Sequence, residues 1–129
     1  MTVVPLGPAA GSAILKALAA NESVCLLSDR DIQGGGIEVD FFGERTTLPA
    51  GPATLGLRTG APVLPVAVYF TNRVNGHHGL VRPPIPMERE GKLREDVARI
   101  TQLLADELAD LIARAPEQWH LFQPNWQSD

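Results

Sequence analysis

A single cysteine, Cys25, rules out an internal disulfide and fits a reducing compartment. Set in an apolar stretch, it reads as small filler. No run of about twenty apolar residues occurs, so no segment reads as a membrane span. The first twenty residues have no charged leader, and Pro5, Gly7, Pro8 and Gly11 break their apolar run, so they do not read as a signal peptide either. Without such a signal the sequon at Asn21 carries no meaning. Basic charge is scarce: eleven Lys and Arg stand against fifteen Asp and Glu, for a net charge of -4. The cations are dispersed, which argues against nucleic acid as the main partner. There is no Gly-x-Ser-x-Gly elbow to activate Ser28 as a hydrolase nucleophile. The triplet Gly34-Gly35-Gly36 lacks the Lys-Ser/Thr of a phosphate loop and the spacing of a dinucleotide turn. The chain holds three histidines. His77 and His78 are adjacent, so on a strand they face opposite ways and cannot share a metal; they read as turn residues. His120, beside Trp119 and near Phe122, reads as packed or interfacial.

What remains is a chain of 129 residues, long enough for one domain with its own core and showing no repeat or linker. Residues 3–6 read as a short buried strand, 11–20 as a helix with Ser12 as a candidate cap and Asn21 at its end, and 23–28 as a second buried strand. That order predicts a right-handed parallel crossover. Residues 37–42 alternate Ile37, Val39 and Phe41 with Glu38 and Asp40, the pattern of a strand with one wet face. Residues 47–60 predict a helix, with Pro49 and Pro52 near its start and Gly60 as its stop. Residues 62–70 predict a long apolar strand interrupted at Pro65 by an edge, an end or a bulge. Asn75-Gly76 signals a hairpin with 78–81 returning, and Pro83, Pro84 and Pro86 make a stiff connector. The clearest element is an amphipathic helix over 92–114, whose apolar face is Leu93, Val97, Ile100, Leu104, Leu108 and Leu111 and whose charges face solvent. Pro116 ends it, and the aromatic tail that follows is not helical in pattern.

The chemistry-bearing residues gather at predicted strand ends, where open α/β sheets bind ligands. Asp29-Arg30-Asp31 follows the second strand, and Glu44 and Arg45 follow Phe41-Phe42-Gly43. Two aromatics beside Glu44 would dry its surroundings and strengthen any hydrogen bond it makes. Such a carboxylate can orient a histidine and stabilise its protonated form. The alternative is a structural salt bridge from Glu44 to Arg30 or Arg45, with Asp29 and Asp31 as loop-capping acids. A catalytic histidine is missing from this neighbourhood.

Five motifs in order resemble the family of bacterial lipid A lauroyl and myristoyl acyltransferases, and within it the actinobacterial phosphatidylinositol mannoside branch. They are Leu27-Ser28-Asp29-Arg30-Asp31, Val39 to Glu44, Leu48 to Ala53, Thr59 to Val66, and Pro116 to Pro124. The resemblance covers nearly the whole chain and implies an α/β fold: a partial glycerolphosphate-acyltransferase-like sheet flanked by helices, with the long C-terminal amphipathic helix. Residues 1–129 would be the C-terminal part of a single acyltransferase domain. The implied reaction moves a fatty acyl group from acyl-coenzyme A, a co-substrate rather than a cofactor, to a sugar hydroxyl of a membrane glycolipid. No metal is implied. The implied place is the cytoplasmic face of the plasma membrane, held peripherally, because acyl burial gains about 0.8 kcal/mol per CH₂ without a span. In the family a His-x-x-x-x-Asp histidine takes the hydroxyl proton, and a carboxylate placed like Glu44 holds it. Arg30 would neutralise phosphate or the developing oxyanion, with Asp29, Asp31 and Arg45 as further substrate contacts. Gly51 and Pro52 would shape the helix start beside an acyl groove, and 63–68 would be core. His77 is followed five positions on by Arg82, His78 by Pro83 and His120 by Asn125, so the motif is absent. The expectation is a partial protein, inactive alone, with normally covered apolar surface left bare. Two other readings stand beside it: a noncatalytic module that binds acyl-coenzyme A or lipid, and an unrelated α/β domain whose charged loop binds a small anion.

Overall fold

The computed structural model describes residues 1–126. Among them lie three α-helices, α1 (Ala10–Ala19), α2 (Gly51–Thr59) and α3 (Leu93–Ala113), one 3-10 turn (Pro116–Gln118), and four strands, β1 (Ile37–Phe41), β2 (Glu44–Leu48), β3 (Val66–Phe70) and β4 (His77–Val81). The strands form two antiparallel hairpins, β1–β2 and β3–β4, each a sheet of its own. The chain is thus mixed α/β, but the predicted parallel crossover does not form. Residues 3–6 and 23–28 have no strand partner, and Leu6 and Leu27 are exposed. A lone extended segment has neither a ladder nor a layer to bury it, so apolar composition alone does not make it a strand. Ser12 lies inside α1 rather than capping it, and Asn21 adopts a left-handed φ of 58° just past its end.

α3 organises the molecule. Val97, Ile100, Leu104 and Leu111 are buried on the predicted face, and Leu93 and Leu108 pack at its margin. At its N-terminal half this face meets Ala53 of α2 and Ile85. Farther along, Ala105 meets Val39, Phe41 and Leu48 of the first hairpin. Each large side chain so buried contributes about 1.5–3 kcal/mol. The helix start is also polar and organised. The Lys92 N–H donates to Glu95 at 3.3 Å. Asp96 is buried, against the expectation that the charges simply face water. Burial works against its ionisation, but the Glu90 N–H, Arg89, Arg99 and the Gly91 N–H outweigh it and hold the carboxyl below its ordinary 3.8.

Two boundaries differ from the pattern. Residues 44–48 are β2, not the start of a helix: Thr46 and Thr47 are β-branched, and Leu48 precedes Pro49, which disfavours helical backbone. α2 therefore starts at Gly51, with Gly60 ending it as expected. β3 starts only after Pro65, whose carbonyl accepts the Arg82 N–H at 2.9 Å. Residues 63–68 are not uniformly core, since Leu64, Val66 and Val68 are exposed. His77 and His78 are strand residues of β4 rather than turn residues, since the turn is complete at Gly76; His77 pairs with Phe70 and His78 with Tyr69, so they point to opposite faces as the period of two requires.

Candidate functional site

The turn joining β1 to β2 is two residues long. Phe42 and Gly43 both have positive φ, 53° and 79°, as the twist of a tight hairpin demands. For a phenylalanine this costs about 1–2 kcal/mol. Aromatic contacts offset it: the Phe42 ring lies 4.7 Å from Phe41 and 5.8 Å from Trp119. Glu44 opens β2 immediately after this turn. It is exposed, and although its main chain pairs with Phe41, its carboxylate has no hydrogen-bond or ion-pair partner among the described residues. The aromatics turn toward each other and the core, so they do not dry Glu44. Nor does Glu44 pair with Arg30 or Arg45. Arg45 instead meets Asp40 at 3.8 Å in a solvated pair of little energetic weight.

The Asp29-Arg30-Asp31 loop is held from behind, not by a strand end. Trp119 Nε1 donates to Asp29 Oδ2 at 2.8 Å, and Asn125 Nδ2 donates to the Asp29 carbonyl at 3.1 Å. Asp31 accepts the Gly34 N–H at 3.0 Å, the Gly36 N–H at 2.8 Å and the Thr47 hydroxyl at 2.9 Å. It therefore does the loop-capping work considered for it, and ties the glycine turn to β2. Gly36 must be glycine because a Cβ there would lie 2.3 Å from the Leu48 carbonyl oxygen. Arg30 is half-buried and makes no hydrogen bond or ion pair among the described residues.

Between this loop, the first hairpin and the tail lies an open cleft of about 320 Å³. Asp31, Glu38, Arg45, Thr46, Thr47 and Asn125 line it, with Pro124 and Trp126 completing the wall. The structure thus brings Asp31 and Arg45 together at one site. Asp29 and Arg30 lie outside its lining, as does Glu44. Carboxylates, hydroxyls and one guanidinium suit a ligand rich in hydroxyls. None of the three histidines lines the cleft, and no group of three or more His, Cys, Asp or Glu among the described residues is placed to hold a metal.

The residues that sequence reasoning missed are in the tail. Trp126 Nε1 donates to the Phe41 carbonyl at 3.1 Å, and the Thr46 hydroxyl donates to the Asn125 carbonyl. Trp119, Trp126 and Phe41 form one aromatic cluster with centroids 5.9–6.2 Å apart. Indoles withdrawn from water need an acceptor; two tryptophans seven positions apart in the tail after α3 were the available signal. His120 is exposed, with Phe122 as its aromatic neighbour.

Comparison with known proteins supplies the context for this geometry. The family model for bacterial lipid A biosynthesis acyltransferase matches residues 7–128. A phosphatidylinositol mannoside acyltransferase of Mycobacterium tuberculosis is 45% identical over 109 residues, 84% of this chain and 32% of the relative. One from Mycolicibacterium smegmatis is 42% identical over 112 residues, 87% of this chain and 34% of the relative. The chain spans about a third of the length of these curated relatives. A match across this much of the sequence makes the chain a member of the bacterial lipid A biosynthesis acyltransferase family.

Proposed function

We propose that these residues supply one wall of an acyltransferase that moves a fatty acyl group from acyl-coenzyme A to a sugar hydroxyl of a phosphatidylinositol mannoside. The carrying observation is the 42–45% identity, over 84–87% of the chain, to proteins named phosphatidylinositol mannoside acyltransferase. In this reading the acceptor sugar lies in the cleft, with its hydroxyls donating to Asp31 and Glu38. Arg30, which has no ion-pair partner among the described residues, meets phosphate or the thioester oxygen as negative charge develops there.

The reaction needs a base that takes the hydroxyl proton as the oxygen attacks the thioester carbon. The tetrahedral adduct then collapses, the C–S bond breaks, and the thiolate recovers the proton. General base help of this kind contributes roughly a hundred- to ten-thousandfold. The chain's own histidines are not at the cleft, so the base comes from the part of the polypeptide outside these residues. Glu44, exposed beside the β1–β2 turn, is the positioning carboxylate on which such an imidazole docks. The whole polypeptide takes a glycerolphosphate-acyltransferase-like fold and works peripherally at the cytoplasmic membrane surface. No helix among the described residues is long and apolar enough to cross a membrane.

The test replaces the matched third of the Mycolicibacterium smegmatis relative with this chain and follows palmitoyl transfer to a mannosylated phosphoinositide. The chimera turns over, the chain alone does not, and Glu44→Gln lowers kcat by about a hundredfold or more with KM for palmitoyl-coenzyme A held. Stabilisation by palmitoyl-coenzyme A without thioester loss in the chimera would replace this reading with the noncatalytic binding module.

A further inference from the structure

The second hairpin presents a bare apolar face. By its register, Val66 sits opposite Val81, Val68 opposite Gly79 and Phe70 opposite His77, all on one side. Val66, Val68, Phe70 and Val81 are 50, 63, 60 and 59% exposed. The other side is occupied: the Tyr69 hydroxyl donates to the Leu111 carbonyl of α3 at 2.6 Å.

The outer edge of β3 is open as well. Thr71 donates to the Gly76 carbonyl, and Arg82 donates to that of Pro65, so odd-numbered positions turn their main chain toward β4. Even-numbered positions turn theirs outward. At Phe70 the Gln118 side chain fills the gap, accepting the N–H at 2.7 Å and donating to the carbonyl at 3.3 Å. Val66 and Val68 have no such partner among the described residues. A strand with an open edge and an uncovered apolar face is a template for another strand.

The length of the relatives points to an occupant. The matched region is 32–34% of their length, so about two thirds of such a polypeptide lies outside it. Charge does not favour a lipid surface instead. The 71–76 loop at the hairpin tip carries one cation, Arg73, while Arg82 is already paired with Glu107 at 2.9 Å; anionic membranes attract clustered Lys and Arg. We propose that the β3 edge and the face of Val66, Val68, Phe70 and Val81 seat a strand and its apolar covering layer from the remaining two thirds of the acyltransferase polypeptide. This rests on family membership and requires no turnover, so it can fail while the proposed reaction stands.

Amide exchange is measured on the chain alone and on the full-length chimera with the Mycolicibacterium smegmatis relative. The Val66 and Val68 amides exchange about a hundredfold more slowly in the chimera. Val68→Asp leaves the melting temperature of the chain alone unchanged and lowers that of the chimera. Phe70→Ser repeats this pattern, and a chimera with the Mycobacterium tuberculosis relative serves where the first does not fold. Equal exchange in both contexts overturns the proposal. So does slow exchange in the chain alone with a mass twice 13.9 kDa, since a second copy would then cover the face. Protection that arises only on adding phosphatidylglycerol vesicles overturns it in favour of a lipid surface.

Discussion

The two hairpins use the same kind of residue to opposite effect. In β1–β2, Val39, Phe41 and Leu48 are at most 2% exposed, sealed by α3 and by the two tail tryptophans. In β3–β4, Val66, Val68 and Phe70 alternate just as cleanly and stand at half exposure or more. Each hairpin has an edge clipped by a glutamine: Gln102 exchanges two hydrogen bonds, both 2.9 Å, with the Asp40 main chain, and Gln118 exchanges two, at 2.7 and 3.3 Å, with that of Phe70. Local pattern and edge treatment are therefore shared, and only the presence of a covering layer differs. The lesson is that alternation specifies a strand face, while what buries the face is a separate property of the tertiary structure.

Removing packing from the sealed hairpin gives the largest expected effect. Leu48→Ala lowers unfolding free energy by about 2–5 kcal/mol, read from urea denaturation. Gly36→Ala, which pushes a methyl against the Leu48 carbonyl, costs about 1–3 kcal/mol by the same measurement. Trp119→Phe keeps an aromatic ring in the cluster but strands Asp29 without its indole donor, at about 1–3 kcal/mol. Asp96→Asn probes the start of the covering helix through pH. The folded carboxyl titrates below 3.8, so its contribution is complete above that value and disappears as pH falls through the lowered folded value. The variant is accordingly less stable than the parent at pH 7, and the two thermal melting curves converge in acid. Smallest is Val81→Ala on the bare hairpin, within about 0.5 kcal/mol in the chain alone.

Much of this was legible from residue order. The α3 face and the wet and dry sides of β1 follow from periods of 3.6 and 2, and the α2 stop at Gly60 from glycine's access to left-handed backbone, whereas His77 and His78, read as turn residues, belong to β4. The family followed from five motifs in sequence. Residues 3–6 and 23–28 misled because apolar composition says nothing about whether a partner strand is at hand. β2 was hidden by a proline-rich helix start, although Leu48 before Pro49 and the Thr46-Thr47 pair pointed to extended backbone. The cleft was half legible. Asp31 and Arg45 lie in it, but its far wall comes from Asn125 and Trp126, 80 to 95 positions away, and no local pattern announces a contact of that span. The notion that Phe41 and Phe42 shield Glu44 failed: Glu44 sits opposite Phe41 and shares its face, but at the turn end of the hairpin it is exposed, while Phe41 is buried in the core and the Phe42 ring meets Trp119.

The contrast between the hairpins is tested most directly by truncating one phenylalanine in each and comparing equilibrium unfolding of the chain alone. Phe41, at 1% exposure, and Phe70, at 60%, are the same side chain at the same end of equivalent strands. Phe41→Ala is expected to cost about 3–5 kcal/mol and Phe70→Ala less than about 0.5 kcal/mol. Equal losses at the two positions would contradict the account, because the second hairpin would then already be covered.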